Sequence, residues 1–125
     1  MTKPTILVVD DDETICITLK YELEKNGFEV ETVEDAEGGI RQMTAKDYDL
    51  VILDLNLGEM TGVDVLKSVN LKNKNTKILI HSGYGKRFCL HEQAMELGGH
   101  DSLQKPCTPE ALLTKISSLI EMVRV

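Results

Sequence analysis

The chain has 125 residues, the size of one ordinary domain, and its 42% hydrophobic and 28% charged residues are those of a soluble globular protein. A formal charge of -7 and a pI near 4.9 argue against nucleic acid, whose phosphates demand clustered Lys and Arg. No apolar run reaches the ~20 residues of a membrane span and no signal peptide opens the chain, so a cytoplasmic setting is expected, with Cys16, Cys89 and Cys107 as reduced thiols.

The first predicted element is a strand, Thr5-Ile6-Leu7-Val8-Val9, apolar along nearly its whole length, as a parallel strand buried on both faces must be. Ile15, Leu19 and Leu23 then recur every four residues as a helical stripe, which Asn26-Gly27 stops. Phe28 to Val33 largely alternates and reads as an edge strand. Ala36, Ile40 and Met43 form a weaker helical stripe behind a cap at Asp35, its propensity lowered by Gly38 and Gly39. Leu50-Val51-Ile52-Leu53 is a second buried strand. A third helix begins near Gly62 with Val63, Leu66 and Val69, and Ile78-Leu79-Ile80 is the next buried strand. A fourth helix runs from about Lys86 to Leu97 and ends at Gly98-Gly99. Asp101-Ser102-Leu103-Gln104 is a polar strand, suited to an edge. The last helix has Thr108 as N-cap and Pro109 at its first position, with Leu112, Ile116, Leu119, Ile120 and Val123 on one face.

Five successive strand–helix units with right-handed crossovers give an α/β fold, (βα)5. With the two polar strands at the edges, the parallel five-stranded sheet takes the order 2-1-3-4-5, a doubly wound, flavodoxin-like three-layer sandwich.

Ligand sites in such sheets lie beyond the carboxyl ends of the strands, near the switch in strand order. Asp10-Asp11-Asp12 follows the first strand and Asp54 follows the third, the two strands flanking the switch. Ser82 ends the fourth strand, and the fifth runs into Lys105-Pro106. Loops are polar in any protein, but that does not account for acids immediately after the two central hydrophobic strands. Packed carboxylates repel one another unless a cation sits among them. Two or three carboxylates form the hard oxygen site that Mg²⁺ prefers, with water and phosphate oxygens completing the shell. Phosphoryl transfer needs chiefly positioning and cations around equatorial oxygens. A metal, the Asp54 carboxylate, the Lys105 ammonium and the Ser82 hydroxyl together make a complete site for carboxylate phosphorylation.

At this point four segments resemble the receiver domains of two-component signalling, of the single-domain chemotaxis type. They are Ile6 to Glu13, Asp49 to Asn56, Met60-Thr61-Gly62, and Lys105-Pro106, in order and across essentially the whole chain. The resemblance implies a single receiver domain over residues 1–125, with no output domain. It implies that Asp11 touches Mg²⁺ (or Mn²⁺) directly and Asp10 mainly through water. Asp54 is then both phosphoacceptor and metal ligand, and the Asn56 backbone carbonyl a third protein ligand. Ser82 and Lys105 bond the phosphoryl group, and Gly83 keeps access open. Tyr84 falls where the family modulates the approach of water, so its ring is expected to slow hydrolysis of the acyl phosphate.

This sequence departs from the family pattern at four places. Gly58 stands where Pro is usual, Thr61 replaces a frequent Asp, and Ser102 occupies the position of a Tyr or Phe that couples the site to output. The stretch from Ser82 to Lys105 is about one residue longer than typical. The other singular residues read plainly. His81, His91 and His100 fall on separate elements as ordinary surface or half-buried histidines. Cys16 and Cys89 are helix packing residues, Cys107 is exposed, and Lys86-Arg87 is part of a solvated helix start.

The expected function is phosphorelay signal transduction rather than enzymatic turnover. A sensor histidine kinase or phosphotransfer protein donates to Asp54, and the chain assists its own phosphorylation and dephosphorylation. Output passes to a downstream protein through the face of helix four, strand five and helix five, with phosphorylation-linked homodimerisation a further expectation; neither nucleic acid nor membrane is a partner. The alternative is a phosphorylation-independent interaction module on the same fold. A flavin carrier fits poorly, because the Asp10–Asp12 run would repel the flavin phosphate. A phosphohydrolase wants a second acid two residues after the nucleophile, and Asn56 cannot be one.

Overall fold

The computed structural model describes residues 3–71, 75–83 and 88–124. Its main sheet is built from β1 (Thr5–Val9), β2 (Glu29–Val33), β3 (Leu50–Leu53), β6 (Lys77–Ser82) and β7 (Asp101–Gln104). All four pairings are parallel, and the order is β2-β1-β3-β6-β7. Counting these five strands alone, that is 2-1-3-4-5, as the placement of polar strands at the edges predicts. A two-stranded antiparallel hairpin, β4 (Asn56–Leu57) with β5 (Met60–Thr61), was not foreseen.

The central strands explain the layering. Successive side chains of a strand point to opposite faces. Leu7 and Val9 enter one core with Val51, Leu53, Ile78 and Ile80, while Ile6 and Val8 enter the other with Leu50, Ile52 and Leu79. Helices α2 (Ala36–Ala45), α3 (Gly62–Ser68) and α4 (Phe88–Glu96) cover the first face. Helices α1 (Glu13–Lys25) and α5 (Pro109–Arg124) cover the second. Each fully buried Leu or Ile contributes roughly 1.5–3 kcal/mol, so a charge slipped into these strands would be unaffordable.

Side chains set the helix starts. Asp12 caps α1 by accepting from the Thr14 and Ile15 amides, and Asp35 caps α2 through the Gly38 amide. Thr61 and Asp64 form a reciprocal capping box at α3. The Thr108 hydroxyl accepts from the Ala111 amide at 3.1 Å, as expected of the α5 N-cap. Each such cap is worth about 1 kcal/mol. At the opposite end of the sheet, the Asp49 carboxylate accepts from the Thr5 amide at 2.8 Å and joins β3 to β1. Among the described residues, no helix is long and apolar enough to cross a membrane.

Candidate functional site

The carboxyl ends of β1 and β3 carry Asp10 and Asp54 side by side, because Val9 and Leu53 are partners in register. Both strands are buried on both faces, so the first polar residue of each emerges at the rim. Asp10, Asp54 and Ser82 are only 2%, 4% and 2% exposed, whereas Asp11 is open to solvent. Carboxylate oxygens of Asp10, Asp11 and Asp54 all lie within 4.8 Å of one another. The three acids expected to surround a cation are therefore brought together.

The opposing charge comes from the far end of the chain. Lys105 Nζ lies 2.7 Å from Asp10 Oδ2 and 3.1 Å from Asp54 Oδ2. The remaining oxygens are held locally: the Asp12 amide donates to Asp10 Oδ1 at 2.9 Å, and the Asn56 amide to Asp54 Oδ1 at 3.1 Å. Backbone bonds fix the same residues from behind. The Asp54 amide donates to the Val9 carbonyl at 2.9 Å, and the Lys105 amide to the Ser82 carbonyl at 3.0 Å. Ser82 and Gln104 are register partners, which puts the hydroxyl and the ammonium on neighbouring strand ends.

A cleft of about 450 Å³ opens above these groups, lined by Asp11, Asp54, Asn56, Ser82, Gly83 and Lys105 among others. Burial raises the Asp10 pKa above the ordinary carboxylate value, and the Asp54 charge adds to this. The Lys105 hydrogen bond and the Asp12 amide act against the rise without cancelling it. Burial alone would lower the Lys105 pKa, but its hydrogen bond to Asp10 and the Asp54 charge outweigh that and hold it above the usual lysine value. The ammonium is thus a fixed positive charge in the physiological range. A site with clustered carboxylates and open solvent access suits a hard divalent cation, with Asp10, Asp11 and Asp54 as its carboxylates.

The hairpin missed in the sequence shapes one wall. Gly58 has φ +83° at its turn, in the left-handed region that favours glycine, and lines the cleft. Gly62 opens α3 where a Cβ would lie 2.5 Å from the Asp54 carbonyl oxygen. Helix α3 thereby packs directly against the backbone of the central aspartate. Thr61, a departure from the family pattern, is the cap of that same helix. Only the succession Met60-Thr61-Gly62 hinted at this.

Other expectations need correction. His81 is not half-buried but 5% exposed, and its Nδ1 has no hydrogen-bond partner. Burial, with Lys105 adding, pushes its pKa down to about 4, so the ring is neutral at pH 7. Cys107 is not freely exposed; it is partly buried, with Sγ 3.5 Å from His81 Nε2. Cys16 packs in the core as expected and directs its thiol at the Asp10 carbonyl at 3.3 Å, whereas Cys89 is exposed and not the packing residue expected. Ser102 lies on β7, partly buried, opposite Ile80. Tyr84, Lys86 and Arg87 lie outside the described residues.

Residues 6–117 match the response regulator receiver domain. The chain is 31% identical over 115 residues to the cell cycle transcriptional regulator CtrA of Caulobacter vibrioides, covering 92% of this chain and 49% of that protein. It is 30% identical to the alkaline phosphatase synthesis transcriptional regulatory protein PhoP of Bacillus subtilis, covering 92% and 48%. The chain thus spans about half the length of these curated relatives. Among solved structures, a CheY-like receiver domain protein from Methanospirillum hungatei superposes with a TM-score of 0.90, at 28% identity and 98% of both chains. Full-length FixJ from B. japonicum gives 0.86 at 30% identity, covering 98% of this chain and 60% of that one.

Proposed function

The chain belongs to the response regulator receiver domain family of two-component systems, and from that premise we propose that Asp54 is its phosphoacceptor. The observation that carries this reading is the sharing of one Lys105 ammonium by two buried carboxylates, with Asp11 beside them. A Mg²⁺ ion, held by Asp10, Asp11, Asp54 and the Asn56 carbonyl, would supply the charge that offsets carboxylate repulsion and orients phosphate oxygens.

The chain's own residues do the rest. Asp54 attacks the phosphorus of a phosphohistidine on a sensor kinase or phosphotransfer protein. The P–N bond breaks, a P–O bond forms, and the imidazole leaves. Lys105 gives up its bond to Asp54 and pairs with the incoming phosphoryl oxygens, keeping Asp10 as its anchor. The Ser82 hydroxyl supplies a further donor from the adjacent strand end, and Gly83 leaves the approach open. Negative charge spread over the equatorial oxygens is met by these donors, which is the main catalytic requirement of phosphoryl transfer. The chain therefore acts as a switch that assists its own modification, rather than as a turnover enzyme. Output passes to a protein partner through the face of α4, β7 and α5, and phosphorylation-linked self-association belongs to the same reading. Ser102 places no aromatic ring on that face.

Incubation with Mg²⁺ and acetyl phosphate tests the proposal. Expected is an acid-stable, base-labile gain of one phosphoryl mass that EDTA prevents and Asp54→Ala abolishes. An unmodified wild type would instead favour the phosphorylation-independent interaction module.

A further inference from the structure

His81 and Cys107 flank the two groups assigned to the phosphoryl oxygens. His81 immediately precedes Ser82 on β6, and Cys107 follows Lys105 by two residues on the loop leading to α5. The His81 side chain points to the α1 and α5 side of the sheet and lines a cavity of about 260 Å³ between those helices, which shares Ile15 and Lys105 with the phosphoryl cleft. There its Nε2 meets Cys107 Sγ at 3.5 Å. Burial pushes the Cys107 thiol pKa up, so a neutral thiol faces a neutral imidazole.

Two cross-links therefore tie the Lys105 loop to the end of β6. One is the backbone bond from the Lys105 amide to the Ser82 carbonyl at 3.0 Å. The other is the side-chain contact between Cys107, two residues after Lys105, and His81, the residue before Ser82. A buried imidazole with an unpartnered nitrogen costs stability, and an apolar residue of similar size would avoid that cost. Among the described residues, the contact with Cys107 compensates for it.

We infer that His81 and Cys107 are positioning residues for phosphoryl uptake, a strut that holds the Lys105 loop against the Ser82 strand end from the reverse side of the sheet. This rests on the proposed function. The strut sets the spacing between ammonium and hydroxyl. The carboxylates of Asp10 and Asp54 keep their places on β1 and β3 through the Asp12 and Asn56 amides, which do not involve the strut.

The test measures two affinities by NMR titration on the full chain: Mg²⁺ alone, and beryllofluoride, the phosphoryl mimic, in saturating Mg²⁺. Cys107→Ala and His81→Gln are each expected to weaken beryllofluoride binding about three- to tenfold while Mg²⁺ affinity stays within about twofold. The double variant should be no weaker than the worse single one, and Cys107→Ser, which keeps a hydroxyl donor, should recover most of the loss. Singles that bind beryllofluoride as the wild type does, losses that multiply in the double variant, or Mg²⁺ affinity falling in parallel would overturn the inference and leave the phosphoacceptor assignment intact. A wild type that binds no beryllofluoride overturns both.

Discussion

Lys105 is bound more closely to Asp10 than to Asp54, with Nζ 2.7 Å from the first carboxylate and 3.1 Å from the second. The asymmetry fits a lysine that keeps one partner while exchanging the other. On the proposed function, Asp10 would be the anchor, and the bond to Asp54 the one that phosphoryl uptake replaces.

Lys105→Ala should therefore lower the rate of phosphoryl uptake from acetyl phosphate about a hundredfold, the usual scale for losing one preorganised charge or donor in a phosphoryl site. Mg²⁺ binding should persist and tighten, since the competing ammonium is gone. Mass spectrometry over time and a metal titration read the two effects separately. Uptake at the wild-type rate would contradict the role given to this ammonium.

Asp10→Asn should raise the thermal midpoint of the metal-free protein at pH 7. Burial, with the Asp54 charge adding, raises the Asp10 pKa above 3.8, so its ionised form is less favourable folded than unfolded. That cost is fully present above the raised pKa and fades as pH falls toward 3.8. Saturating Mg²⁺ should reverse the ranking, since the asparagine binds the ion less well. Melting curves in EDTA and in Mg²⁺ check both signs.

His81 makes an acid-side prediction. Its folded pKa of about 4 lies below the ordinary histidine value of 6.5, because burial disfavours the charged ring. The stability carried by the neutral ring is complete above pH 6.5 and is lost as pH falls from there toward 4. The span corresponds to roughly 3 kcal/mol. His81→Gln should flatten that part of the stability profile in urea titrations. An unchanged slope would show that other groups govern acid unfolding.

Gly62→Ala should destabilise the fold by about 1–3 kcal/mol, because the added methyl meets the Asp54 carbonyl at 2.5 Å and Leu55 atoms at 3.0 Å and 3.1 Å. Moving α3 back to relieve the overlap shifts the segment that carries Asp54. Phosphoryl uptake should fall together with the urea midpoint. A variant as stable and as active as the wild type would mean that the helix relaxes freely.

Much of this was legible in the residues. The apolar runs of β1, β3 and β6 have the length and composition that fit strands of a buried parallel sheet, and the acids after two of them mark the rim. What escaped was short or depended on distant chain segments. Asn56–Leu57 and Met60–Thr61 are too brief for a two-residue alternation to register as strands. Gly62 looked like a helix start and not a point of backbone contact, since the carbonyl it accommodates belongs to another element. His81 read as an ordinary histidine because a strand residue's burial depends on the helices that cover it, here α1 and α5. Cys107 could not be paired with it across 26 positions of sequence.

The hydrogen bond from Lys105 to Asp10 closes a loop of 95 positions, so the reactive constellation is assembled only when the fifth strand of the sheet is in place. A chain still being synthesised, or one cut anywhere before residue 105, holds the acidic residues without their lysine. On the proposed function, competence to take up a phosphoryl group would thus be tied to completion of folding, and the phosphodonor would meet a finished tertiary structure rather than a stretch of peptide.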